Sequence, residues 1–316
     1  MLFKGVDFWP HGTRFPVMSL RKYFIALSAA LALFSAVELF TNGLNFGIDF
    51  VGGSLFEVKT KSGPIDVPGL RRSIRALKLG DVQVQAIGET GSEALIRIEK
   101  QEGDDKAQQR AVTRVTKTLG ADIEIRRVEV VGAAVSGELK QAGFYAVLSA
   151  IIGILLYVWF RFEWQFGVAA VLALVHDVFI TVGVFALLGL EFDLSIVAAL
   201  LTLAGYSIND TVVVFDRIRE NLRKYKKKPL TDLLDLSINE TLSRTTLTSM
   251  TTFLAVFSLY VFGTEVIRGF AFAMLFGIVI GTWSSIFIAS PFLLMIGVKR
   301  DWSGLKEGRG ASTSRA

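Results

Sequence analysis

Gln141-Ala-Gly-Phe-Tyr-Ala-Val-Leu-Ser-Ala-Ile-Ile-Gly-Ile-Leu-Leu-Tyr-Val-Trp-Phe160 contains no charged residue and matches the roughly 20 residues a helix needs to cross a bilayer. Arg161-Phe162-Glu163 follows, and Trp164–Leu190 is apolar again except for His176 and Asp177, so the pair reads as two spans joined by a tight hairpin. Working outward, Leu194–Phe215, Thr245–Phe262 and Gly269–Val298 come later and Tyr23–Phe40 comes earlier. The chain is therefore predicted to be a polytopic α-helical membrane protein with six transmembrane helices. The last stretch exceeds one span and contains Pro291, which predicts a kink or an exit from the membrane there. Tyr23–Phe40 follows Arg21 and Lys22, and its end, Ala36-Val37-Glu38, lacks a small-x-small cleavage pattern, so it reads as an uncleaved anchor.

Composition alone is less telling. The chain is 52% hydrophobic and 20% charged, against about 45–50% and about 25% in soluble domains, so the placement of apolar residues carries the fold class. With no cysteine, disulfide scaffolds and thiolate chemistry are excluded. His11 and His176 stand in unrelated contexts and make no zinc cage. No Gly-x-x-x-x-Gly-Lys-Ser/Thr occurs, so the chain does not read as an ATPase, and no cofactor or metal is expected. The net charge of +5 and pI near 9.4 fit basic loops beside membrane lipid better than a nucleic-acid partner.

Arg217, Arg219, Arg223, Lys224, Lys226, Lys227 and Lys228 crowd the loop after the fourth span; Arg161 follows the second, and Lys299 and Arg300 the sixth. Glu191-Phe192-Asp193, between the third and fourth spans, has no basic residue. The positive-inside rule then places both termini in the cytoplasm. The expected organisation is a cytoplasmic segment 1–20, a first span 21–41, an external domain 42–140, a five-helix bundle 141–298 with a cytoplasmic basic loop 216–243, and a cytoplasmic tail 299–316.

The external segment has its own pattern. Ser54–Thr60 reads as a strand, and Val67, Leu70, Ile74 and Leu77 share one helical face. Val82, Val84 and Ala86 alternate with polar residues, as do Ala94, Ile96 and Ile98 with Leu95, Arg97 and Glu99. Ala107, Ala111, Val115 and Leu119 mark a second helix, and Ile123, Ile125, Val128 and Val130 a last strand whose alternation slips once. The order β-α-β-β-α-β predicts an extracytoplasmic α+β ferredoxin-like domain. That fold serves many functions, and no carboxylate pair or Ser/His arrangement suggests catalysis. A domain that contacts a partner or a polypeptide, and a protein that is not an enzyme, is the expectation.

Ionisable residues inside the spans are the candidate functional groups. His176 and Asp177 lie near the middle of the third span, and Asp210, beside Asn209, in the fourth. An ionised side chain there costs about 2.5–3.5 kcal/mol or more, so it must be neutral, paired or in a wet cavity. Either it exchanges a proton or it makes a helix–helix hydrogen bond. Glu38 reads as an interfacial residue. Arg244, heading the fifth span, is an anchor or a counter-charge for Asp210. Gly269, Ala273, Gly277 and Gly281 repeat every fourth residue in the sixth span, a row that lets helix backbones approach closely.

Asn45-Phe46-Gly47-Ile48-Asp49-Phe50-Val51-Gly52-Gly53 resembles the Gly-Ile-Asp-Phe-x-Gly-Gly signature of the SecD/SecF protein-export family, relatives of the RND transporters. Tyr206–Asn221, Asn239–Thr245 and the His176-Asp177 pair resemble the family in order and placement, over roughly residues 15–300. The family motif residues are Gly47, Ile48, Asp49, Phe50, Gly52 and Gly53. The resemblance implies a subunit in the bacterial inner membrane that pairs with SecD and uses the proton motive force to promote late export of preproteins through the SecYEG channel after SecA. It maps a proton-responsive aspartate onto Asp210 and a functional arginine onto Arg244, with His176, Asp177 and Asn209 as a possible polar network. The alternatives are half of an RND-like proton-coupled exporter of small molecules or lipids, and a structural stabiliser of the channel. An intramembrane aspartyl protease using Asp177 and Asp210 lacks the flanking motifs.

Overall fold

The computed structural model describes residues 14–61, 63–88, 91–101 and 105–298. Residues 1–13 with His11, and the tail 299–316 with Lys299 and Arg300, lie outside the described residues. Among the described residues, six helices are long and apolar enough to cross a membrane. The first is α1 (Val17–Thr41); it leads through β1 (Asn45–Phe46) and α2 (Ile48–Val51) into an α/β domain. That domain comprises β2 (Gly53–Thr60), α3 (Val67–Arg75), β3 (Val82–Ile87), β4 (Glu93–Ile98), α4 (Asp105–Leu119) and β5 (Ile123–Val131). The remaining elements are α5 (Ala133–Arg161), α6 (Trp164–Leu188), β6 (Glu191–Phe192), α7 (Leu194–Lys224), α8 (Leu230–Phe262), α9 (Glu265–Ser284), a π-helical turn Ser285–Ala289 and α10 (Ser290–Ile296).

The domain has the β-α-β-β-α-β order read from its alternation, with four antiparallel strands in the order β3-β4-β2-β5. Phe56, Val58, Ile74, Ile96, Ile98 and Val115 are fully buried between the sheet and α3 and α4. Each such side chain is worth about 1.5–3 kcal/mol when removed from water, so the domain has a core of its own. The slip in the last strand is a β-bulge. Glu57 pairs with Arg127 but Val58 with Ile125, leaving Arg126 as the extra residue. Asp66 caps α3 by accepting from the Gly69 N–H at 3.0 Å.

In the bundle, α6, α7 and α9 are inner helices, while α1, α5 and α8 turn most of their surface outward. The small-residue row of α9 lies against α7: a Cβ on Gly277 would come 2.5 Å from Leu203 Cδ2, and one on Gly281 would come 3.1 Å from Ser207 Cβ. Close packing is thus what this row provides.

Three expectations need correction. α5 starts at Ala133, so 133–140 belong to a helix that runs into the bundle rather than to the external domain. The basic loop 216–243 is mostly helical, because α7 continues to Lys224 and α8 begins at Leu230. Asn221 and Arg217 hold those ends together through Glu240 Oε2, each at 2.7 Å, which lets polar residues extend apolar helices into water. Of the two outcomes expected at Pro291, a kink or an exit, the exit does not occur: the chain stays in the bundle. The π-helical turn just before it accommodates the missing N–H, and the helix continues to Ile296.

Gly183 of α6 faces Ser35 of α1, where an added Cβ would come 2.9 Å from the Ser35 Cα and closer still to its side chain. Gly183→Val should force the two helices apart and cost about 1–3 kcal/mol, read as a lower thermal midpoint of the purified protein in detergent. An unchanged midpoint would contradict this packing.

Candidate functional site

Helical phase decides which hydroxyl and carboxyl groups meet. On α7, Ser207, Asp210 and Thr211 are spaced three and four residues apart and so lie on one face, turned toward α6, α8 and α9. Asp177, from α6, is fully buried. Its Oδ2 accepts the hydroxyls of Ser207 at 2.6 Å and Ser284 at 2.7 Å, and its Oδ1 lies 3.0 Å from His176 Nδ1. The buried His176 Nε2 has no hydrogen-bond partner among the described residues. Thr211 and Ser285 join hydroxyls at 2.8 Å just below, where the π-helical turn begins. Asp177 therefore ties α6, α7 and α9 together.

Asp210 is nearly as buried but less tightly held. Ser249 Oγ donates to its Oδ2 at 3.2 Å, and Thr248 Oγ1 lies 3.4 Å from its Oδ1. Hydroxyl bonds are strongest near 2.7–2.8 Å, and these partners have competing contacts. Ser249 Oγ is 2.7 Å from Thr282 Oγ1, while the single Thr248 proton is also within reach of the Thr245 carbonyl at 2.9 Å and that of Arg244 at 3.1 Å. One carboxyl is locked by short bonds and the other is shared among long ones.

Arg244 is exposed and forms no ion pair with Asp210; it stands one turn from Thr248 on α8 and acts on the carboxylate only through space. Asn209 does not join the polar network: it is exposed, because one residue of helix turns it about 100° from Asp210. Ser207, Thr211, Ser249, Thr282, Ser284 and Ser285 were not singled out from sequence. A serine or threonine in an apolar helix can bond its own preceding turn, as Thr202 does to the Ala198 carbonyl at 2.8 Å. Composition alone does not show which hydroxyls reach across.

The segment Asn45–Gly53 forms a joint between the α/β domain and the bundle. β1 pairs in parallel with β6, in the α6–α7 connection. The Gly47 N–H donates to the Phe192 carbonyl at 2.9 Å, Asn45 Nδ2 to the Gly189 carbonyl at 3.1 Å, and the Leu194 N–H, at the start of α7, to Asp49 Oδ2 at 2.9 Å. Ile48 and Phe50 are buried, the latter against Phe46 and Phe192. A Cβ on Gly47 would come 2.9 Å from Glu191 Oε1; Gly52 and Gly53 have φ of 76° and 128°, and a Cβ on Gly53 would run into the Ile98 carbonyl. Glycine is required at Gly52 and Gly53 for backbone conformation, and at Gly53 for space as well. Arg97 of β4 completes the joint with an ion pair to Glu191 and bonds of 3.3 Å to Asn45 Oδ1 and the Phe46 carbonyl. Burial pushes the Glu191 carboxyl above its ordinary range, and Asp193 and Asp49 push the same way, against Arg97.

A family profile described as protein export membrane protein SecD/SecF, C-terminal, matches residues 111–299, and one described as the SecD/SecF GG motif matches residues 39–63. The protein translocase subunit SecF of Desulfurispirillum indicum is 47% identical over 286 residues, 88% of this chain and 90% of that one. The SecF of Magnetococcus marinus is 49% identical, covering 90% and 92%. The protein translocase subunit SecDF of Brucella abortus is 45% identical over 92% of this chain but only 38% of its own length. The crystal structure of SecDF from Thermus thermophilus, a translocon-associated membrane protein, superposes with a TM-score of 0.80 at 37% identity, covering 91% of this chain and 39% of that one.

Breaking the joint should uncouple the domain without unfolding it. Arg97→Ala is expected to broaden the distance distribution between spin labels on α4 and α8, and Glu191→Gln to do so less, because the amide can still accept a hydrogen bond. An unchanged distribution in both would show that the ion pair does not hold the domain.

Proposed function

Because the chain belongs to the SecD/SecF protein-export family, we propose that it is the partner of a SecD-type subunit and works with it as a proton-driven accessory of the translocon. It promotes the late movement of preproteins through a SecYEG-type channel after SecA. The relatives support this pairing: the Brucella chain carries the matched region as 38% of a longer SecDF. The proposed orientation puts the α/β domain outside and the termini in the cytoplasm of the inner membrane, supported by the basic residues gathered at the opposite end of the bundle.

The observation that carries the mechanism is the contrast between the two carboxyls. Asp177, bound at 2.6 and 2.7 Å, is suited to hold three helices in register. Asp210, with partners at 3.2 and 3.4 Å, can lose or regain a charge with little disruption of short bonds. Arg244 follows that charge through space, so each protonation changes the attraction between α7 and α8. One charge moved through the membrane potential supplies about 2.3 kcal/mol per 100 mV, enough to bias a two-state bundle more than about tenfold. α7 begins at the joint, where its first N–H is bound by Asp49, so its movement is passed to the α/β domain that contacts the exported chain. The cycle makes and breaks no covalent bond in a substrate, and the protein is proposed not to be an enzyme. A structural stabiliser is the second reading, favoured by the Asp177 hydrogen bonds.

Asp210→Asn keeps size and most hydrogen bonds but cannot ionise. It should lower export of a reporter protein at least about tenfold, the scale of one proton's work, with abundance and SecD pairing intact. Asp210→Glu should retain part of the activity and Arg244→Met should imitate the asparagine. Wild-type export by Asp210→Asn would leave the structural reading standing.

A further inference from the structure

At the end of the bundle away from the α/β domain, two arginines from two helices converge on one aromatic ring, and a third stands one helical turn beyond. Arg161 closes α5, and Arg219 and Arg223 are one turn apart on α7. The guanidinium carbons of Arg161 and Arg219 lie 4.9 Å and 5.9 Å from the centre of the Phe162 ring, and Arg219 Nη1 donates to the Arg161 carbonyl at 3.3 Å. Arg219 stands in the field of both Arg161 and Arg223, with Asp216 and Glu163 as the opposing charges. Asp216 bonds Arg161 at 3.1 Å, but the two side chains are 58% and 45% exposed, a kind of pair that adds little and exchanges readily. Lys224, Lys226, Lys227 and Lys228 follow directly and leave this end strongly positive.

We propose that Arg161, Arg219 and Arg223 form a binding site for the phosphate headgroup of an anionic phospholipid. Guanidinium groups match phosphate oxygens in pairs, and a phosphate among them would offset their mutual repulsion. The choice of a lipid over a soluble phosphate comes from the surroundings. Trp159, Phe160 and Trp164 flank the α5–α6 turn with 56%, 97% and 54% of their surface exposed, on the outward side of the bundle, where aromatic residues sit at headgroup depth. Acyl chains would lie against these rings while the headgroup enters the arginines. A lipid held there would clamp the α5–α6 turn to the end of α7. This inference rests on the membrane-spanning fold alone and not on the export reading.

The test is native mass spectrometry of the full chain, purified in mild detergent with its SecD-type partner and titrated with phosphatidylglycerol, cardiolipin or phosphatidylcholine. The expected result is retention of an anionic lipid in preference to phosphatidylcholine. Combined Arg161→Gln, Arg219→Gln and Arg223→Gln should weaken it at least tenfold, while Lys224→Gln, Lys226→Gln, Lys227→Gln and Lys228→Gln together should weaken it less than threefold. If the triple variant fails to fold, Arg223→Gln alone, at an exposed position, should weaken retention at least threefold, and Arg223→Lys should rescue it only in part. Loss with the lysine set but not with the arginine set would overturn the site in favour of diffuse loop charge. Displacement of the lipid by millimolar glycerophosphate would overturn it in favour of a soluble phosphate. Equal retention of phosphatidylcholine would overturn it outright.

Discussion

A carboxyl group inside an apolar bundle must be given hydrogen bonds by the chain itself, because lipid offers none. Asp177 meets this demand with Ser207 from α7, Ser284 from α9 and its neighbour His176. Much of the bundle follows from it. Hydroxyls reach a carboxylate at 2.6–2.7 Å only if the helix backbones are close, and they are close because Gly277 and Gly281 present no side chain to α7. The π-helical turn starts at Ser285, so Ser284 and Ser285 leave α9 at the level where Asp177 and Thr211 need them.

Asp210 is set in the same frame but with a different balance. Its donors lie on α8, an outer helix of the bundle, and each has a second acceptor in reach. A bond shared in this way is cheap to rearrange, whereas the Asp177 bonds are not. The two acids thus divide into one held by short bonds among the inner helices and one whose longer, shared bonds reach an outer helix.

The family signature after α1 acquires a mechanical meaning in this setting. Its paired glycines let the chain turn sharply beside Ile98, and its aspartate binds the first N–H of α7. The same helix carries Asp210 in its interior. The Asp210 carboxyl and the α/β domain therefore lie at two places along one helix and one short joint, with Arg97 and Glu191 closing the contact from the domain side.

The amino-acid sequence by itself determined the six spans, the β-α-β-β-α-β order and the acids to be watched, because hydropathy and alternation are local properties of a chain in contact with lipid or water. Even the bulge at Arg126 left its mark as one slip in alternation. Only the tertiary structure decided that Asp177 is bound by two serines from distant helices, that Asn209 turns away while Asp210 turns in, and that Arg244 stands a turn short of an ion pair. It also revealed the β1–β6 pairing, two residues long and 146 positions apart in sequence, too short to leave a pattern. These depend on helix phase and on which backbones glycine allows to touch, and neither is expressed in the composition of a single segment.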